Sequence, residues 1–441
     1  MKLKISRRIF VYYISVFLIF NETFLSSLSY IYVFRFSRAV NMLLELIGLG
    51  LFIVAQFTYK KQYKNYPLVF RFLIGMILIV YIVGMGIYPQ FLSQTFRFAV
   101  IMLFILFGYR DCRWIEVLMN LLLWSGLIYI VTTIWFTFDK AFYLKYFAYS
   151  MYPKATNYDF LGNSGTAGIT DHYSTNGMML AGITILLFSQ MLSKREEKGT
   201  SWMQTVLFSL SAIALVLCGK RAHFAFVIVA CFFTYYLFMR NNKNRYFKYI
   251  RFAFIVFVTY SLLMTYSSNF QKLMARFDTM ATSSGTLIRY SLWGTGIAGF
   301  LKNPIFGVGW PGGRYLTLSV MEGYQDVHNE FIQILCETGI VGGVVFFTFF
   351  AGGIITAIRF VIWTAKHRNA IELKTKQYAI FSCCYQCFFL MYCITASPLH
   401  QAYVSNLYYF SVCLGVLLFY NKNKILKDSK EIFLNNHGEK L

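Results

Sequence analysis

The feature that most constrains this chain is a series of apolar stretches of about 20 residues, separated by short basic clusters. A helix of that length crosses roughly 30 Å of hydrocarbon. Charged residues make up only 13% of the chain and hydrophobic residues 58%, whereas a soluble domain carries about 25% charged residues. A water-soluble protein of 441 residues with this composition could not cover itself with polar surface. The sequence therefore predicts an all-α polytopic membrane protein.

Twelve stretches qualify as membrane spans. They cover residues 9–30, 39–58, 68–88, 91–108, 114–137, 177–192, 203–219, 222–239, 250–266, 331–358, 378–396 and 403–420. Asn21 and Glu22 interrupt the first stretch, and the tenth is long enough to be tilted or to begin outside the bilayer. We therefore predict one integral membrane domain over residues 1–441 with about twelve helices.

The distribution of basic residues predicts the orientation. With the N-terminus inside, the inner connections hold most of the 41 Lys and Arg residues, as the positive-inside rule requires. This predicts a multi-pass protein of the cell membrane with both termini cytoplasmic. The net charge of +23 is then explained by contacts with anionic membrane lipids, and we expect no nucleic-acid partner.

Two outer connections are long, covering residues 138–176 and 267–330. Long connections in compact proteins are usually functional or disordered. The second is rich in aromatic residues and glycine and contains apolar stretches, which predicts a folded extracytoplasmic cap with short helices at the membrane interface.

The cap contains residues suited to phosphate chemistry. His328 and Asn329 stand at the predicted start of a helix, which Asn329 or Asp326 could cap. Such a helix start offers free N–H groups to a phosphate, and a neutral histidine is the usual base near pH 7. Arg289 and Arg314 lie in the same cap, and a guanidinium binds two phosphate oxygens as a fork.

A third arginine, Arg221, follows Lys220 at the predicted outer end of two spans, where positive charge is otherwise depleted. Residues that break the charge bias favour a functional interpretation, although a snorkelling interface residue is the simpler explanation for Lys220. Acidic residues are sparse on the outer face, with no Asp-x-Asp pair, so we expect metal-independent chemistry and no cofactor. Cys384-x-x-Cys387 is interpreted as small apolar residues of a helix.

Taken in order, these motifs resemble the O-antigen ligase and O-antigen polymerase family of bacterial envelope proteins, over about residues 205–360. The resemblance is carried by Arg289 and Trp293, Pro304-Ile-Phe-Gly307-Val-Gly309, His328-Asn329, and Glu337-Thr-Gly339-Ile340-Val-Gly342. The upstream arginine of the family, often within Ser-Arg-Gly, resembles Gly219-Lys-Arg221-Ala, with different flanking residues.

The resemblance implies a GT-C-type membrane fold and a reaction in which a glycan on a polyprenyl pyrophosphate moves to an acceptor hydroxyl. By position, Arg221 and Arg289 would hold the pyrophosphate and His328 would accept the proton of the hydroxyl. The substrate-binding residues would be Arg314, Asn329, Trp293 and Glu337. A flippase and chain-length regulator proteins are the protein partners that the resemblance implies.

Three functions stay open. A polymerase joins lipid-linked repeat units, and two sizeable outer loops together with a composition typical of an AT-rich genome favour it for capsule or exopolysaccharide assembly. A ligase transfers the glycan to a lipid A core or another surface acceptor. A lipid-linked oligosaccharide flippase is the non-enzyme alternative. It predicts an internal repeat and charged residues within the spans, whereas the two halves of the sequence show no repeat and the main acidic residues of the spans, Glu22, Glu45 and Glu116, lie near span ends.

Overall fold

The part of the chain that the structure describes is mostly helical. This computed structural model describes residues 7–21, 38–59, 61–148, 165–170, 173–194, 202–240, 244–266, 271, 274–275, 284–320 and 325–429. Within those ranges the regular structure consists of helices, without a β-strand, which confirms the predicted all-α class.

Fifteen of the described α-helices are numbered in chain order. They are α1 (Arg7–Ile19), α2 (Arg38–Thr58), α3 (Leu68–Ile87), α4 (Leu92–Phe107), α5 (Arg113–Phe138), α6 (Lys140–Tyr143), α7 (Tyr173–Lys194), α8 (Trp202–Leu217), α9 (Arg221–Met239), α10 (Arg245–Tyr266), α11 (Ser284–Lys302), α12 (Gly313–Leu316), α13 (Glu330–Lys366), α14 (Leu373–Tyr392) and α15 (Ala402–Tyr420). Short 3-10 turns lie at Pro89–Phe91, Thr317–Ser319 and Pro398–His400, a π-helix lies at Leu144–Ala148, and a further helix covers Lys422–Ser429.

Each of the twelve predicted spans overlaps one of these helices, although residues 22–30 of the first lie outside the described part of the chain. Seven described helices are long and apolar enough to cross a membrane, and an eighth would be α15 together with the helix Lys422–Ser429, which is bent from it by 68°. The multi-pass membrane protein is confirmed, and the count of twelve stays a prediction.

The chain divides into two compact units. The first comprises Met1–Ser125, Met280–Gly353 and Phe389–Cys413. In it α2 packs against α1 and α4, and α3 also packs against α4. Its core is largely aromatic, as where the rings of Phe389 and Tyr408 stack 3.9 Å apart.

The second unit comprises Gly126–Thr279, Ile354–Phe388 and Leu414–Leu441. Its centre is α7, which is buried along most of its length and packs against α8 and α9. Asn176 of α7 donates hydrogen bonds to the Thr133 hydroxyl and the Thr166 carbonyl, both 2.9 Å away. These bonds satisfy a buried amide that would otherwise destabilise an apolar helix.

Candidate active site

The candidate site belongs to the first unit and is organised by a break in α13. Gly339 has φ 62° and ψ −161° within the helix, a backbone conformation that only glycine adopts without strain. The loop that precedes α12 bonds to the backbone on both sides of the break. Ile340 N donates to Pro304 O (2.8 Å), and Gly309 N donates to Glu337 O (2.8 Å). The glycine-rich loop is therefore held against the helix on both sides of the break.

His328 lies just before α13 and has a positive φ of 60°, which is uncommon for a residue with a side chain. The indole Nε1 of Trp293 on α11 donates to the His328 carbonyl at 3.3 Å. On the other side, the Asn329 amide donates to the Ile394 carbonyl at 3.2 Å. The backbone around His328 is thus attached to two other segments of the same unit.

The start of α13 does not offer free N–H groups. The Asn329 carboxamide oxygen accepts from Phe331 N (3.1 Å) and Ile332 N (3.2 Å), which confirms Asn329 as the predicted cap. Glu330 N donates to Cys393 O (2.8 Å) and Gln333 N to Asn329 O (2.9 Å). The expectation that these backbone donors would bind phosphate is wrong, because the protein itself satisfies them.

Arg314 is engaged inside the unit. Its Nε donates to Asp326 Oδ1 at 2.5 Å and its Nη2 to Asp326 Oδ2 at 3.2 Å, while Nη1 donates to Gln94 Oε1 at 2.9 Å. Burial raises the pKa of Asp326, but the adjacent guanidinium more than offsets this effect, so the net pKa lies below its usual value. Asp326, the alternative cap predicted for α13, therefore pairs with Arg314 instead. The fork of Arg314 that was predicted to bind phosphate is filled by protein groups.

Beneath these residues lies a fully buried pair of Glu337 and His400, whose side chains are 0% exposed. His400 Nε2 is 3.1 Å from Glu337 Oε2, and the Trp310 ring stacks on the imidazole at 4.2 Å and 10°. Desolvation lowers the pKa of His400, but the Glu337 carboxylate and Asp326 outweigh it, so the pKa is raised above its usual value. The two side chains are placed as an ion pair in the interior, and removing one of them would leave the other buried without its partner.

Glu330 and Glu337, two helical turns apart on α13, both point into the first unit toward the segment that contains the 3-10 turn Pro398–His400. Glu330 Oε2 accepts from Leu399 N at 2.7 Å. Glu337 Oε1 accepts from Gly313 N at 3.1 Å. Because Glu337 is fully buried, it cannot contact a substrate directly in this structure. Its predicted role in substrate binding would have to be indirect, through the residues that surround it.

Arg289 differs from Arg314 in its surroundings. It is half-buried on α11, and among the residues that the structure describes no carboxylate or hydrogen-bond acceptor is paired with it. It lies four residues before Trp293, so the two side chains share one helix face. A guanidinium without a partner among the described residues thus lies one helical turn from Trp293, whose indole bonds to His328.

Arg221 is the first residue of α9 in the second unit and is half-buried. The preceding Lys220 places its ammonium 5.2 Å from the centre of the Tyr173 ring, which agrees with the simpler structural explanation for that lysine. The predicted role of Arg221 toward a pyrophosphate stays a prediction.

The sequence did not identify His400, Gln333 or Ser397 as parts of the site. Gln333 Oε1 accepts from Ser397 Oγ at 2.8 Å, and its Nε2 donates to Glu337 Oε1 at 2.9 Å. Ser397-Pro-Leu-His400 is a short polar insertion between two predicted spans, on the predicted outer side. The four-residue spacing of Gln333 and Glu337 was a local signal for their contact. Ser397 and His400 could not be assigned to the site because their partners on α13 are distant along the chain.

Comparison with known proteins gives one family. Residues 206–347 match the family model described as O-antigen ligase, nearly the range of the predicted resemblance, which is thereby confirmed. The matched range includes Arg221, Arg289, Arg314, His328 and Glu337. No match was found among curated proteins.

Proposed function

We propose, from the O-antigen ligase domain at residues 206–347, that this membrane protein is a glycosyltransferase that polymerises lipid-linked repeat units. Its donor would be an oligosaccharide on undecaprenyl pyrophosphate, and its acceptor the terminal sugar hydroxyl of another lipid-linked unit. The product would be a capsule, exopolysaccharide or O-antigen chain.

The observation that carries this proposal is the arrangement of Arg289, Trp293 and His328. A half-buried guanidinium without a described partner is suited to a dianionic phosphate group, because it can donate two parallel hydrogen bonds. Trp293 lies one turn away on the same helix and holds the His328 carbonyl. Trp293 therefore shares a helix face with the candidate anion-binding group, Arg289, and bonds to the backbone of the candidate base, His328.

In the proposed reaction the acceptor hydroxyl attacks the anomeric carbon of the donor glycan. A new glycosidic C–O bond forms, the C–O bond to the pyrophosphate breaks, and the electron pair leaves with the undecaprenyl pyrophosphate. The His328 imidazole accepts the hydroxyl proton. Arg289 stabilises the negative charge on the leaving group, so the step is proposed to need neither a metal ion nor a cofactor.

The remaining predicted residues have supporting roles in this proposal. Arg221 is proposed, on the family resemblance alone, as a second cation for the pyrophosphate. Trp293 and Asn329 hold the His328 backbone, while Arg314 and Glu337 stabilise the surrounding loop through Asp326 and His400. The proposed membrane fold is of the GT-C type, with about twelve spans, cytoplasmic termini and the site on the extracytoplasmic face.

One buried charge bears on the flippase alternative. Glu45 of α2 is 3.0 Å from Arg97 of α4, and the Glu45 side chain is only 2% exposed. A carboxylate that lines a transport pathway would have to be accessible to substrate, whereas this one is covered within the first unit and paired with an arginine. The pair therefore supports a structural role for Glu45 and not a role in lining a transport pathway.

The test is glycan assembly by purified full-length protein in detergent, without a second compartment. Supplied with lipid-linked repeat units, the protein should produce longer lipid-linked glycans and release one undecaprenyl pyrophosphate for each new linkage. Extension only after a lipid A core acceptor is added would assign ligase instead. The absence of extension with both acceptors, despite folded protein, would refute glycosyl transfer.

A further inference from the structure

Gln333 is a fully buried glutamine that joins three segments of the first unit. Its side-chain oxygen accepts hydrogen bonds from Val327 N and Ser397 Oγ, each 2.8 Å away. Its side-chain nitrogen donates to Glu337 Oε1 at 2.9 Å. These contacts join the start of α13 to the loop that precedes it, to the segment around Ser397 and to the next turn of the same helix.

The groups on either side of Gln333 fix which way its amide points. The backbone N–H of Val327 can only donate, so the amide oxygen faces Val327 and the amide nitrogen faces Glu337 Oε1. Glu337 is itself held by Gly313 N at 3.1 Å and by His400 Nε2 at 3.1 Å. The amide oxygen is consequently directed at Val327 N and cannot rotate without losing its bond to the carboxylate.

Val327 directly precedes His328, whose φ of 60° is unfavourable for a residue with a Cβ atom. Such a conformation persists only when the surrounding structure restrains it on both sides. Gln333 restrains the N-terminal side through Val327 N, and Trp293 restrains the His328 carbonyl at 3.3 Å.

We propose that Gln333 is a positioning residue for glycosyl transfer, which holds the His328 backbone in the left-handed conformation that presents the imidazole to the acceptor hydroxyl. This inference rests on the proposed role of His328. The chain Gln333–Glu337–His400 supplies the rigidity: the buried pair holds the amide nitrogen, and the amide oxygen fixes the backbone next to the base.

Because Gln333 is fully buried, it acts on the reaction without touching the substrate. Displacement of a reacting group by about 1 Å lowers a rate by about 100-fold. Loss of the amide should therefore lower kcat by about 10- to 100-fold, while KM for the lipid-linked donor stays close to that of the wild type.

The variant that tests this is Gln333→Met, which keeps the volume and removes the polar atoms, in full-length protein reconstituted in nanodiscs. Gln56 provides a matched control: it is equally buried, accepts from Arg110 N (3.1 Å) and Asp111 N (3.0 Å), and donates to Asp111 O (2.8 Å). Gln56→Met should cost similar stability and leave kcat unchanged.

A second readout does not depend on activity. Hydrogen exchange of the amides of residues 327–329 should be faster in Gln333→Met than in the wild type, and unchanged in Gln56→Met. Exchange as slow as in the wild type would overturn the inference whether or not the protein polymerises glycans. Inactive wild-type protein would refute the proposed function instead.

If Gln333→Met does not fold, Ser397→Ala decides the question, because it removes one of the two donors to the amide oxygen and leaves the other. It should lower kcat moderately, keep KM, and accelerate exchange at residue 327. A kcat equal to that of Gln56→Met, in either folded variant, would show that Gln333 is only structural.

Discussion

Replacing Gly339 with alanine should destabilise the first unit more than any other single methyl group added to α13. Gly339 has φ 62° and ψ −161°, a region essentially restricted to glycine. A Cβ atom there would lie 2.3 Å from both the carbonyl carbon and oxygen of Ile305 and 2.6 Å from Phe306 N. These are backbone atoms, so a side-chain rotation cannot relieve the clash.

The cost can be estimated from two contributions. The strained backbone conformation costs about 1–3 kcal/mol for a residue with a side chain. Displacement of the loop breaks the bonds from Ile340 N to Pro304 O and from Val341 N to Ile305 O, at about 0.5–1.5 kcal/mol each. The free energy of unfolding should therefore fall by about 2–6 kcal/mol, a large part of a typical total of about 5–15 kcal/mol.

The assay is thermal unfolding of purified protein in detergent, followed by intrinsic fluorescence, together with glycan extension. Gly352→Ala is the matched control, because Gly352 lies in the same helix with no heavy atom within 4 Å of an added Cβ. That control should be neutral or stabilising by up to about 1 kcal/mol. Equal Tm values for the two variants would refute the argument that the Gly339 break is required.

Two further predictions concern charged groups. Arg289→Lys should lose most of the extension activity at unchanged protein level, because an ammonium cannot form a fork with two phosphate oxygens; full activity with lysine would reduce Arg289 to a point charge. The His400→Gln variant should show a pH-dependent loss of stability. Since the pKa of folded His400 is raised, its contribution to stability is complete below about pH 6.5, the pKa of an unfolded histidine, and is lost as pH rises through the folded pKa. The Tm difference between wild type and His400→Gln should therefore be largest near about pH 6 and shrink toward about pH 9, and a difference that grows with pH would contradict the Glu337–His400 pair.

Much of the fold was predictable because apolar length alone identifies membrane helices. The cap of α13 by Asn329 was also predictable, since it is a local effect of one side chain on the next turn. The helix α11 is a single element of 19 residues, longer than the short interface helices expected for the cap. Its glycines Gly296 and Gly299 allow close packing, because an added Cβ would clash with Ile332 or Leu316.

The site was less predictable where it depends on residues far apart in sequence. The chemistry of Arg314 suggested phosphate binding, but Asp326 and Gln94 occupy its donors. The helix start suggested anion binding, but the cap and the Cys393 carbonyl use its N–H groups. His400 pairs with Glu337 across 63 positions of the chain, and one sequence contains no periodic signal for such a contact.

The most direct test of the proposed mechanism compares wild-type protein with His328→Ala in detergent, at equal amounts of folded protein and with lipid-linked repeat units as the sole substrate. We predict glycan extension and stoichiometric release of undecaprenyl pyrophosphate by the wild type, and neither by the variant. Ordinary chain lengths from His328→Ala would contradict the assignment of His328 as the base.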